Sequence, residues 1–181
     1  VAVENIEVAL TKEGLEDIAR LVAIGATNGV VSTINFKVGF FRLGSLGDPV
    51  LFESKKVYRD DCEEIYYMNY PRTNAPDTSG GFDEDHTLIK DSNVTGYIAI
   101  ISIAYVAAVA PSDLGTVEIS CYVNPGFLNE SGNDSFTCNE IMVYTGDGTV
   151  GNPYRSFLWG IFPDITKERE YGINLKISCQ F

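Results

Sequence analysis

The chain has one histidine and one tryptophan in 181 residues, and 13 Lys and Arg against 25 Asp and Glu. Each scarcity closes off a class of function. A formal net charge of −12 repels phosphate backbones, and no basic stripe offsets it, so no nucleic-acid partner is expected. The densest basic cluster, Lys55, Lys56 and Arg59, is followed at once by Asp60, Asp61, Glu63 and Glu64. The same acidity disfavours an anionic membrane surface. The most apolar run, Tyr97 to Ala110, is too short to span a bilayer and is broken by Ser102. Val1 to Leu10 carries Glu4 and Glu7 and no basic segment, so no secretory leader is expected. The leading Val reads as what remains after removal of an initiator Met. The acidity itself serves solubility and can steer a basic partner.

Catalytic signatures are equally sparse. There is no Gly-x-Ser-x-Gly elbow. Cys62, Cys121, Cys138 and Cys179 lack metal-clip spacing and read as buried free thiols. Any His-dependent chemistry must use His86. With Asp83 and Asp85 it makes a loop to which calcium is the best-fitting metal, but the Gly and distal Glu of an EF-hand are missing, so a solvated acidic loop is expected. Asp60, Asp61, Glu63 and Glu64 are candidates to supply the carboxylate pair of glycoside hydrolysis, although charge of this kind more often guards an edge strand. Gly146-Asp147-Gly148-Thr149-Val150-Gly151 fits the dinucleotide spacing, but Asn152-Pro153-Tyr154 and a strand follow where that chemistry needs a helix. It reads as a hairpin turn. Asn93, Asn129 and Asn133 head glycosylation sequons that are discounted without an export signal. No cofactor, metal or enzymatic activity is expected.

What the sequence does have is turns and aromatics: 17 Gly, 7 Pro, 10 Tyr and 10 Phe, a composition suited to pleated sheets. The clearest element is the last. Tyr171, Ile173, Leu175, Ile177, Cys179 and Phe181 alternate with Gly172, Asn174, Lys176, Ser178 and Gln180, which specifies a half-buried strand. Strands are also predicted over Thr33–Leu43, Val50–Tyr58, Cys62–Met68, Thr116–Val123, Phe136–Tyr144 and Tyr154–Phe162. Thr95–Val109 is apolar on both alternating faces and is expected to be a central strand covered on each side. Thr11 is a candidate N-cap for a helix whose apolar stripe is Leu15, Ile18, Ala19 and Val22, with Gly25 placed to end it. Asn69 to Asp85 reads as a long surface loop. The expected fold is mainly β with α+β character: an antiparallel β-sandwich or barrel-like sheet with one N-terminal helix at about residues 11–24, in a single domain spanning 1–181.

The ends of the chain carry a resemblance. Thr11, Gly14, Ile18, Ala19 and Gly25, then Val38-Gly39, then Asn139-Glu140-Ile141, Gly146, Gly148 and Pro163 stand in an order that resembles the N-terminal attachment domain of the phage tail-collar fibre protein family. It covers roughly the first fifth and last quarter of the chain. Phe40 and Phe41 stand where that family often has Gly-Asp-Gly after the Val-Gly. The resemblance implies a non-enzymatic structural component of a tailed-phage virion, a homo-oligomer such as a trimer, with other copies of itself and tail, baseplate or neck proteins as partners. With no fibre shaft expected after Phe181, the resemblance implies an adaptor, collar, baseplate or decoration protein. Tyr66, Tyr67 and Tyr70 are the candidate partner-binding anchors. The alternative expectation is a carbohydrate-binding β-sandwich module that uses the Asn69–Asp85 loop.

Overall fold

The computed structural model describes residues 2–3, 6–26, 37–45, 47–58, 65–68, 89, 96–108, 110, 114–129 and 134–180, with backbone only for 22–26, 51 and 65–68. In chain order the elements are β1 (Ala2–Val3), β2 (Glu7–Leu10), α1 (Lys12–Ala26), β3 (Val38–Gly44), α2 (Pro49–Ser54), β4 (Lys56–Tyr58), β5 (Ile65–Met68), β6 (Ile98–Ala99), β7 (Ser102–Val106), β8 (Thr116–Val123), β9 (Ser135–Thr145), β10 (Arg155–Glu168) and β11 (Ile173–Gln180). The fold is mainly β, as expected.

The first sheet has four strands in the order β1-β11-β8-β7, and the second has five in the order β2-β10-β9-β3-β6. β4 and β5 form a separate two-stranded ribbon. Every pairing is antiparallel except the short parallel match of β1 with β11. The two sheets share one core. Ile119, Cys121 and Val123 of β8, with Ile173, Leu175 and Ile177 of β11, meet Phe41, Leu43, Ile141, Val143 and Leu158 from the second sheet. Period-two patterning explains this directly. β11 alternates buried and exposed over its whole length, so Ile173, Leu175, Ile177 and Cys179 face inward. β8 places Ile119, Cys121 and Val123 inward in the same way.

The far face of the second sheet is also covered. Ala9, Met142, Tyr144, Trp159 and Ile161 form a second apolar cluster there, closed by Phe52 of α2. Phe52 packs on the only tryptophan with ring centroids 5.3 Å apart. Burial on both faces is why β9 is buried without interruption from Glu140 to Thr145.

Four local expectations are corrected. Val50–Tyr58 is not one strand: Pro49–Ser54 is helical and only Lys56–Tyr58 is extended. The start is a cap, with the Val50 amide donating to Asp48 Oδ1 at 2.7 Å and Pro49 in the first helical position. Thr95–Val109 is not a covered central strand. Its chain pairs first with β3 through β6, then crosses to the other sheet and pairs with β8 through β7, at the sheet edge. β10 runs past Pro163 to Glu168, because the pairing with β9 is interrupted between Ile161 and Ile165 and a proline is tolerated at such a break. Helix α1 runs to Ala26, so Gly25 lies within its last turn.

Candidate functional site

Helix α1 sits on β10 through polar groups. The Gly14 amide donates to Thr11 Oγ1 at 3.0 Å, the N-cap geometry expected from the sequence. The Thr11 hydroxyl donates to the Ser156 carbonyl at 2.8 Å, and the Thr11 amide donates to the Phe157 carbonyl at 2.9 Å. Glu13 reaches across to accept from the Ser156 amide at 2.9 Å and the Ser156 hydroxyl at 2.8 Å. Asp17 is buried, where Arg155 Nε donates to it at 2.8 Å and the Thr145 hydroxyl at 3.1 Å. Thr11, Gly14 and Asp17 are therefore the buried positions near the helix start, while Ala19 is exposed and Leu15 and Ile18 are half-buried. The expected Leu15–Ile18–Ala19 stripe is thus rotated: Ile18 still packs against the core, but close backbone approach at Gly14 and the Asp17–Arg155 ion pair also seat the helix.

Gly14 permits that approach: a Cβ there would lie 2.5 Å from the Phe157 carbonyl oxygen. The Asn139-Glu140 pair plays a comparable part in β9. Asn139 Oδ1 accepts from the Gly47 amide at 2.7 Å, and its Nδ2 donates to the Gly47 carbonyl at 3.0 Å and to Asp164 at 2.8 Å. Glu140 is fully buried and accepts from Trp159 Nε1 at 3.1 Å.

Around the far face of the second sheet lies an aromatic group. Tyr97 stacks on Tyr154 at 3.8 Å and meets Tyr144 edge-on at 5.0 Å, and the buried Arg42 guanidinium lies 4.5 Å from the Tyr97 ring centre. Beside it, the Gly146–Gly151 segment is the turn between β9 and β10. Gly146 and Gly148 have φ of 85° and 81°, and Asp147 accepts from the Thr149 amide at 3.0 Å and hydroxyl at 2.7 Å. Those Thr149 hydrogen bonds hold the Asp147 carboxyl below its ordinary range. The dinucleotide-like spacing therefore builds a hairpin loop, with no helix N-terminus after it.

The surface that sequence reasoning missed is β7. Its segment exposes Ile101 at 63 %, Ile103 at 45 %, Tyr105 at 72 % and Val106 at 45 %. Ile103 stands opposite the buried Ile119, and Tyr105 opposite Val117, so both lie on the core side of their sheet. Both are exposed, on the strand that ends the first sheet among the described residues. The available signal was the absence of charge from Tyr97 to Ala110, visible in the sequence but read there as central burial.

The candidate anchors fall elsewhere. Tyr66 and Tyr67 lie on β5, with Tyr67 opposite Val57 of β4, and only their backbone is described. Tyr70 lies outside the described residues, as do Asp60, Asp61, Cys62, Glu63, Glu64, Asp83, Asp85, His86 and the Asn69–Asp85 loop. Asn129 of the second sequon is buried and accepts from the buried Lys167 ammonium at 2.6 Å. The three described cysteines are buried free thiols. Burial pushes Cys121 and Cys138 up to about 12 and Cys179 up to about 11, so none is a ready nucleophile. Among the described residues no group of three or more His, Cys, Asp or Glu is placed to hold a metal ion, and no helix is long and apolar enough to cross a membrane. No family model, curated protein or solved structure matches the chain.

Proposed function

We propose that this chain is a non-enzymatic structural component of a tailed-phage virion, an adaptor, collar, baseplate or decoration protein that docks onto tail or neck partners by oligomeric assembly. One observation carries the reading. The two sequence stretches that resemble the attachment domain, separated by about a hundred residues of chain, come together as one framework: β2, α1 and β3 pack on β9 and β10. The motif residues are the pins of that framework. Thr11 and Gly14 seat the helix, Asn139 holds Gly47, and Gly146 and Gly148 turn the central hairpin. The unmatched middle of the chain supplies the exposed strand β7, an assembly surface carried on that frame.

A carbohydrate-binding role would rest on the Asn69–Asp85 loop, outside the described residues. The stacked rings of Tyr97 and Tyr154 face each other and do not offer those faces to a sugar.

Immunogold labelling of purified particles tests the assembly reading. The expected result is gold at the tail, baseplate or neck. Unlabelled particles, with the chain found only in the lysate of infected cells, would overturn it.

A further inference from the structure

We propose that β7 is a homotypic edge, and that two copies of this chain pair their β7 strands antiparallel about a two-fold axis at Ala104. The proposal names a second copy as the partner and rests on the assembly reading above for its biological setting.

Three observations converge on a second copy. The first is position. β7 pairs with β8 on one side only, and among the described residues no strand lies on its other side. An edge strand presents a row of backbone donors and acceptors, and natural edges are usually blunted by charge, proline or a bulge. Ser102–Val106 contains no charged residue and no proline, and its register with β8 is unbroken.

The second is charge. Every copy carries a net charge of −12, so two copies repel over most of their surface. From Ser92 to Ser112 there is no charged residue at all. The one charged side chain of β8 opposite β7 is Glu118, which faces Ala104 and is paired with Lys176 at 2.9 Å. In the proposed pair the two Glu118 positions lie three strand spacings apart, about 14 Å, beyond the screening length of about 8 Å at physiological salt. This strip is where two such acidic chains can meet at low electrostatic cost.

The third is self-complementarity. Antiparallel pairing about Ala104 sets Ile103 of one copy opposite Tyr105 of the other, twice. Aromatic against β-branched is a favoured cross-strand combination, and both residues lie on the uncovered core side. Ser102 then meets Val106, Ile101 meets Ala107, and the small Ala104 meets itself on the axis. The two four-stranded sheets become one continuous sheet of eight, and the exposed Ile103 and Tyr105 of each copy gain cover. The symmetry is isologous and closes at two copies.

Light scattering and oxidative cross-linking test the pairing. The unmodified chain should scatter at twice its monomer mass, with the dimer fraction rising with concentration and with salt, because salt screens the mutual repulsion. Ala104→Cys in a Cys62→Ser background should form a disulfide-linked dimer on mild oxidation, at least tenfold more than Val150→Cys, an exposed control on the distant β9–β10 turn. Ala104→Lys should weaken dimerisation at least tenfold while keeping the circular dichroism and melting temperature of the monomer, since Ala104 is exposed. A monomer at every salt concentration overturns the proposal. So does a dimer indifferent to Ala104→Lys, or a cysteine at 104 that cross-links no better than the control. A dimer from a chain absent from particles would sink the virion reading and leave the pairing standing. A particle-bound chain that stays monomeric would do the reverse.

Discussion

Replacing Gly14 with Ala separates two rules of opposite sign. In an isolated helix the change is favourable by about 1 kcal/mol, because glycine costs backbone entropy. Here Gly14 lies where α1 meets β10, and the new Cβ would sit 2.5 Å from the Phe157 carbonyl oxygen and 3.1 Å from its Cα. Ordinary contact begins near about 3.4 Å, so the helix start must retreat by roughly 1 Å, against backbone that cannot swing aside. Overpacking of this kind costs about 1–3 kcal/mol. The retreat also stretches the Thr11 hydroxyl bond to Ser156 at 2.8 Å and the Asp17–Arg155 contact at 2.8 Å, with a lost cap worth about 1 kcal/mol. Offsetting the propensity gain, a net destabilisation of about 2 kcal/mol is expected, or a melting temperature lower by about 4–8 °C for a domain of this size. Urea denaturation followed by the fluorescence of buried Trp159 reads it. Ala19→Gly, at an exposed site of the same helix, is the control and should cost about 1 kcal/mol by propensity alone. A Gly14→Ala protein as stable as the parent, or more so, would refute the seating of α1 described here.

Two further outcomes follow from the same structure. Gly146→Ala combines a φ of 85° with a Cβ only 2.3 Å from the Pro153 carbonyl oxygen, so the β9–β10 turn should lose about 2 kcal/mol or more, read as a lower urea midpoint at unchanged slope; equal midpoints would contradict the turn geometry. The buried thiols should make stability fall in alkali: Cys121 rises from 9.0 to about 12 on folding and Cys138 likewise. Their contribution is fully present below about pH 9 and declines as the unfolded thiols ionise, by up to about 1.4 kcal/mol per pH unit for each. Cys121→Ala should shallow the slope between pH 9 and 11, and a slope that steepens would refute the burial.

The alternating strands were legible because their pattern needs nothing beyond neighbouring residues. Ile173 to Cys179 and Ile119 to Val123 point inward in the structure as their period demands. The Thr11 cap was legible for the same reason. What distant chain decides was not. The burial of Asp17 depends on Arg155 and Thr145, more than a hundred residues away in sequence, so the helix stripe was drawn from Leu15, Ile18, Ala19 and Val22. Pro49 to Ser54 carries the short apolar run Val50-Leu51-Phe52, which passes for a strand, and the Asp48 cap with proline after it was the overlooked signal. The exposed strand β7 was misjudged most instructively. Apolar residues on both faces of Thr95–Val109 describe equally a strand covered on each side and an edge strand awaiting a partner. Only the sheet order distinguishes them, and among the described residues it places β7 at the edge. Tyr105, in the charge-free strip, has the exposure an anchor needs.

The most direct test of the structural role is stoichiometry. Virus particles from cells that produce this chain are purified, washed at high salt, and the copies of the chain per particle counted by quantitative mass spectrometry against a tail protein of known symmetry. A structural component should be retained at a fixed whole-number ratio to that protein, unchanged by the wash. A chain that washes away, or is present at a variable and sub-stoichiometric level, contradicts the account.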